Sequence, residues 1–105
     1  MQRKEFQQVV EKRLNLIQSV LASKGAEYSP DDNPFHNFDN ATGLSFHKNR
    51  TKVAWEFMVK HLQSIKDMLD KDEKGLTNSE AHIEEKIGDA VNYLILIEGM
   101  LKDKK

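Results

Sequence analysis

Glu85 and Asp89 lie four residues apart in the stretch IEEKIGDAVNYLILIEGML, Ile83–Leu101. At helical spacing both carboxylates fall on one face, and Asn92 joins them there. Two carboxylates and an amide beside apolar surface are costly to desolvate unless a cation or hydrogen-bond donors meet them. Oxygen ligands in a chain without cysteine suit Mg²⁺ or Mn²⁺. Magnesium typically takes one or two carboxylates, with waters and substrate phosphates completing its shell. Glu85, Asp89 and Glu27 would therefore suffice for a phosphate-bound cation, with Glu27 or Glu85 orienting an attacking water. Lys60 is placed to contact a phosphate, and Tyr28 or Phe38 to stack on a base. His61 sits at the edge of the same helix face as Lys60. No glycine loop for phosphates and no GxSxG occurs, and no serine and histidine are arranged as a nucleophilic triad.

The elements that must carry these residues read as helices. In Ile83–Leu101 a separate apolar stripe runs through Ile83, Ile87, Ala90, Leu94, Ile97 and Leu101. Its second half is apolar nearly all the way round, which predicts cover on both sides. Gln2 to about Lys24 predicts a first long helix, with Phe6, Val9, Val10, Leu14, Ile17, Val20 and Leu21 on one face and Gly25 as its C-cap. Asn49 to about Asp70 predicts a second, with a core stripe of Ala54, Met58, Leu62, Ile65 and Leu69. Gly75 stops the charged connector DKDEKGLTNS, and Thr77, Asn78 or Ser79 can cap the last helix.

Between the first two helices runs GAEYSPDDNPFHNFDNATGLSFHKN, which holds both prolines. It is longer than ordinary helix–helix connections of about 2–8 residues. Tyr28, Phe35, Phe38 and Phe46 are too apolar to be left loose, so the loop is expected to be ordered. Asp39 or Asn40 could cap a short helix through Ala41–Phe46. Asp31, Asp32 and Asn33 read as an Asx-rich turn, because the ligand spacing and terminal glutamate of an EF-hand are missing. The expected fold is thus all-α: one domain over residues 1–105, a helical bundle of three long helices plus a short helix in a long ordered loop, completed by oligomerisation.

Composition sets the outer bounds. The chain has 105 residues, 38% hydrophobic and 31% charged, with a net charge of −1 and no cysteine. The charge gives no reason to expect nucleic-acid binding. Missing cysteines exclude disulfides and thiolate chemistry and fit a reducing cytoplasm. No apolar run approaches the ~20 residues of a membrane span, and MQRKEFQQ lacks the apolar stretch of a signal peptide.

Three blocks carry a resemblance: KGAEYSPDDNPFHNF (Lys24–Phe38), KHLQSIKDM (Lys60–Met68) and EKIGDAVNYLILIEGML (Glu85–Leu101). Together they look like a family of small phage and prophage proteins similar to the all-α MazG-like nucleoside triphosphate pyrophosphohydrolases and to domains associated with nucleotide modification. The resemblance implies a helical bundle, dimeric or higher, with a divalent metal at carboxylates and a nucleotide ligand. Glu85 and Asp89 match the acidic pair of the metal-binding helix, and Glu27 could stand for a carboxylate from an earlier element. Lys24, Tyr28, Asn37 and Phe38 match the KGxEY and NF blocks, and Lys60 and His61 the KH block. MazG-like enzymes also carry EExxE on one helix before an ExxD on the next. Here Glu84 and Glu85 precede Asp89, but no earlier EExxE occurs.

Three readings follow. The first is a metal-dependent hydrolase yielding a nucleoside monophosphate and pyrophosphate in the cytoplasm of a phage host. The second is a nucleotide-binding protein without turnover that sequesters a nucleotide signal or recognises a modified nucleotide. The third is a helical homo-oligomer, dimer or tetramer, acting as an interaction module.

Overall fold

The computed structural model describes residues 1–24 and 33–103, without the side chains of Ser23 and Lys24. The expected Gly25 cap, the Asp31–Asp32 turn and the side chains of Lys24, Glu27 and Tyr28 lie outside the described residues. Every described element is helical, and no strand occurs among the described residues. None of these helices is long and apolar enough to cross a membrane. The chain divides into two compact units, Met1–Pro34 and Phe35–Lys105.

The first unit holds α1 (Arg3–Ile17), which runs on in π-helical turns over Gln18–Lys24. The sequence predicted one uniform helix. Apolar spacing records which side chains share a face. It leaves no trace of whether the backbone ladder skips four residues or five. No residue of α1 is buried, and Phe6, Val9 and Leu14 are exposed. Among the described residues, this unit holds no second element on which to bury that face.

The second unit holds the short α2 (His36–Ala41) and two long helices, α3 (Arg50–Glu73) and α4 (Glu80–Lys102). Local chemistry fixes the ends of the long pair. The Asn49 side chain accepts from the Thr51 N–H at 2.9 Å, and Ser79 Oγ accepts from the His82 N–H at 3.2 Å. At the end of α3, Gly75 takes φ +76°, a left-handed conformation that favours glycine. The Leu76 N–H then reaches back to the Lys71 carbonyl at 2.9 Å, and the Gly75 N–H to that of Asp72 at 3.0 Å, closing a Schellman motif. Asn78 Nδ2 donates to the Met68 carbonyl at 3.0 Å and fastens the connector to α3.

α3 and α4 form an antiparallel hairpin, and α2 packs on it. Phe35, Phe38, Val53, Ala54 and Met100 make the core, with Phe57, Tyr93, Leu96 and Ile97 against them. Gly99 lets the Phe35 ring lie directly on α4: a Cβ there would stand 2.9 Å from the ring. Over that ring, 4.7 Å from its centroid, sits the Arg50 guanidinium. Arg50 also donates to Asp103 at 2.8 Å and pairs with Asp39 at 3.6 Å. One side chain at the start of α3 thus ties α2 to the end of α4.

Three expectations are corrected here. The short helix is His36–Ala41, not Ala41–Phe46, because burial of Phe35 and Phe38 sets it five residues earlier. Phe46 is not packed: it is 99% exposed. The chain turns after Ala41, and Ser45 Oγ donates to Glu56 at 3.1 Å, which leaves Leu44 and Phe46 pointing outward. The core stripes are also rotated. On α3, Val53, Ala54, Met58 and Met68 are buried, while Leu62 and Leu69 are exposed. On α4, Gly88, Ala90 and Met100 are buried, while Ile83, Leu94 and Leu101 are exposed. Two apolar stripes compete on each helix, and α2 selects the one its phenylalanines can reach.

Candidate functional site

Asp89, in the middle of α4, faces α3. Its Oδ2 lies 3.3 Å from His61 Nδ1. Both side chains are part-exposed, so the pair sits at the edge of the hairpin. Tyr93, one turn on from Asp89, lays its ring 5.2 Å from that of His61, tilted by 32°. Tyr93 in turn meets the edge of Phe38 at 6.0 Å, so this corner continues into the core. Burial, and then the nearby negative charge of Asp89, hold the Tyr93 phenol above its ordinary pKa. The phenol therefore stays protonated and can donate a hydrogen bond throughout the neutral range.

Asn92 shares this stretch of α4. Its side-chain carbonyl oxygen is buried and accepts no hydrogen bond among the described residues. An orphaned acceptor of this kind costs about 1–3 kcal/mol, which a ligand bringing an N–H or O–H donor can return. Glu85, one turn before Asp89, is exposed, with Lys86 Nζ 3.7 Å away.

Of the residues singled out in the sequence, the arrangement therefore brings His61 and Asp89 into contact, with Asn92 three residues further along α4. Lys60 and Asn37 are exposed. Phe38 is a core residue, 6.1 Å from Phe57, and presents no free ring face for stacking. Tyr93 was missed. Its signal was the four-residue step from Asp89, which puts an aromatic ring on the acidic side of α4.

The pair has definite chemistry. A carboxylate on Nδ1 orients the imidazole and leaves Nε2 to donate to or accept from a ligand. Among the described residues no group of three or more His, Asp or Glu side chains stands close enough to hold a metal ion. Glu85 and Asp89 could hold only a cation that brings further ligands with it, such as waters and phosphate oxygens. Comparison of the chain with family models, with curated proteins and with solved structures gives no match.

Proposed function

We propose that this chain is a small nucleotide-binding protein of the phage MazG-like type, acting in the cytoplasm, with its site at the His61–Asp89 corner of the α3–α4 hairpin. The observation that carries the reading is the buried carbonyl oxygen of Asn92, without a hydrogen-bond partner among the described residues and three residues along α4 from the Asp89 of a carboxylate–imidazole pair. An exocyclic amine of a base or a sugar hydroxyl would donate to Asn92, and His61 and Tyr93 offer donors to a phosphate or a base edge. The three sequence blocks that resemble the MazG-like proteins point to the same class of ligand.

A second reading is favoured by the spacing of Glu85 and Asp89. One helical turn apart, they would hold a Mg²⁺ or Mn²⁺ already bound to the phosphates of a nucleoside triphosphate. Such a cation neutralises phosphate charge, and hydrolysis would give a monophosphate and pyrophosphate.

One incubation separates the two. The purified chain is mixed with nucleoside triphosphates, deoxynucleoside triphosphates and cyclic nucleotides, with and without Mg²⁺ or Mn²⁺. Mass spectrometry reads the solution and the protein. A nucleotide retained intact, and lost in Asn92→Leu, supports binding. Metal-dependent appearance of a monophosphate supports the hydrolase. Bare protein with no thermal shift from any nucleotide overturns both and leaves the interaction module.

A further inference from the structure

We propose that the turn between α2 and α3 docks on an anionic lipid surface, with Leu44 and Phe46 entering the headgroup region and Lys48 and Lys52 meeting lipid phosphates. This stands independently of the nucleotide reading. Leu44 is 95% and Phe46 99% exposed, more than any other large apolar side chain among the described residues. A slack turn would fold such side chains back onto the protein. Here the anchoring of the turn holds them out. Ser45, between them, turns inward: its Oγ donates to Glu56 at 3.1 Å and accepts from the His47 N–H at 3.1 Å. The His47 ring nitrogen Nε2 lies 3.4 Å from the same Glu56 oxygen.

At the α2 end of the turn, the N–H groups of Gly43, Leu44 and Ser45 reach back to the carbonyls of Asn40 and Ala41 at 3.3, 3.0 and 2.8 Å. With that of His47, these backbone donors are bonded within the chain. Such satisfaction suits a lipid surface, because a backbone donor without a partner resists leaving water. The tip can therefore offer two apolar side chains to the acyl boundary with little polar surface to desolvate.

Charge around the tip selects an anionic surface. Lys48 follows Phe46 by two residues, and Lys52 lies one helical turn before Glu56, on the face of α3 to which the turn is tied. Both lysines are exposed and form no ion pair among the described residues. The nearby acids are engaged: Glu56 by Ser45 and His47, and Asp39 by Arg50. The collar of the tip is thus cationic although the whole chain carries −1. Lysine stems lie along apolar surface while their ammonium groups reach phosphates, and each lysine adds affinity for an anionic leaflet. Trp55 and Val59, three and seven residues after Lys52, continue this side of α3 and are half-exposed. Indole rings favour the headgroup level. A bilayer yields to two projecting side chains, whereas a protein partner would need a pocket matched to them. Leu44 and Phe46 together carry fewer side-chain carbons than a myristoyl chain, which alone gives a binding constant of about 10⁴ M⁻¹. Docking is therefore reversible and depends on the lysines.

Flotation of the full chain with lipid vesicles tests the proposal. Vesicles of phosphatidylglycerol with phosphatidylcholine should carry the protein, pure phosphatidylcholine should carry far less, and raised salt should release it. Leu44→Ser with Phe46→Ser should weaken binding to the anionic vesicles roughly tenfold or more. Helical circular dichroism should be retained in that variant, because both side chains are almost wholly exposed. Lys48→Glu with Lys52→Glu should abolish the preference for anionic vesicles. In Phe46→Trp with Trp55→Phe, the one remaining indole should shift its fluorescence to the blue on binding, which reads insertion of the tip itself. No binding to anionic vesicles, or binding that the serine variant leaves unchanged, would overturn the proposal.

Discussion

The imidazole of His61 and the carboxylate of Asp89 bridge the two long helices 3.3 Å apart, 28 residues apart in the chain. Both are part-exposed, so their mutual attraction is screened and contributes at most about 1 kcal/mol to stability. What the contact does is fix directions. It points the carboxylate at α3 and presents the far ring nitrogen of His61 at the hairpin's edge.

Asp89→Asn should therefore separate fold from function. The amide keeps the shape and can still accept from an imidazole N–H, so the melting temperature should move by only a few degrees. Nucleotide retention, and any metal-dependent turnover, should be lost. Retention at the native level would remove Asp89 from the site, while a large loss of stability would make it a structural residue. His61→Gln serves as the partner test and should weaken binding without altering helical content.

Gly99 reports on the packing of α2. Alanine is the better helix former by about 1 kcal/mol. Its Cβ, however, would stand 2.9 Å from a ring atom of Phe35. That ring is buried and capped by Arg50, so it has little room to withdraw. Overpacking of this kind costs about 1–3 kcal/mol. Gly99→Ala should be a net loss of about 1 kcal/mol in chemical denaturation. Combined with Phe35→Leu the two changes should be non-additive, the smaller side chain relieving the clash. A stabilised Gly99→Ala single variant would show that the ring gives way freely.

Arg50 should resist conservative replacement. Its guanidinium serves two carboxylates and a ring face at once, and hydrogen bonding by Asp103 holds its pKa above the ordinary value. A lysine is a point charge and cannot reproduce the fork and the stacked plane together. Arg50→Lys is expected to cost about 1 kcal/mol and Arg50→Ala about 1–2 kcal/mol, discounted for partial exposure. Proteolysis of the α2 region should rise in step. Equal stability of Arg50→Lys and the native chain would leave only a simple charge requirement.

Much of this fold was legible in the sequence because it rests on local chemistry. The long helices appear through their apolar periodicity and their stops, and Asn49, Gly75 and Ser79 end them where their residue types demand. The face each helix buries was not legible. α4 carries an apolar stripe through Leu94 and, roughly 100° and 160° round from it, Tyr93 and Leu96, and nothing local ranks one above the other. The choice is made by α2, whose Phe35 and Phe38 find Gly99, Tyr93 and Phe57. The site was half legible for the same reason. Four-residue spacing puts Glu85 and Asp89 on one face of a single helix. Which cross-helix partner meets Asp89 depends on the register of two helices joined by a tight connector, and that register made it His61 and left Lys60 in solvent.

Tyr93 offers a pH signature of this corner. Its phenol is held above the ordinary value of about 10 by burial, with the charge of Asp89 adding to the effect. The folded chain therefore keeps a proton that the unfolded chain releases at lower pH. This contribution to stability is complete below the unfolded tyrosine value and is lost as pH climbs through the folded one. In Tyr28→Phe, where Tyr93 is the one tyrosine left, ultraviolet absorbance should show tyrosinate forming later than in the unfolded chain. Asp89→Asn should bring that transition down only part of the way, because burial is the larger cause. Tyr93→Phe should lessen the alkaline loss of stability between the two values. Ionisation at the ordinary value in the folded chain would mean that water reaches the phenol freely and that Tyr93 is no part of an enclosed site.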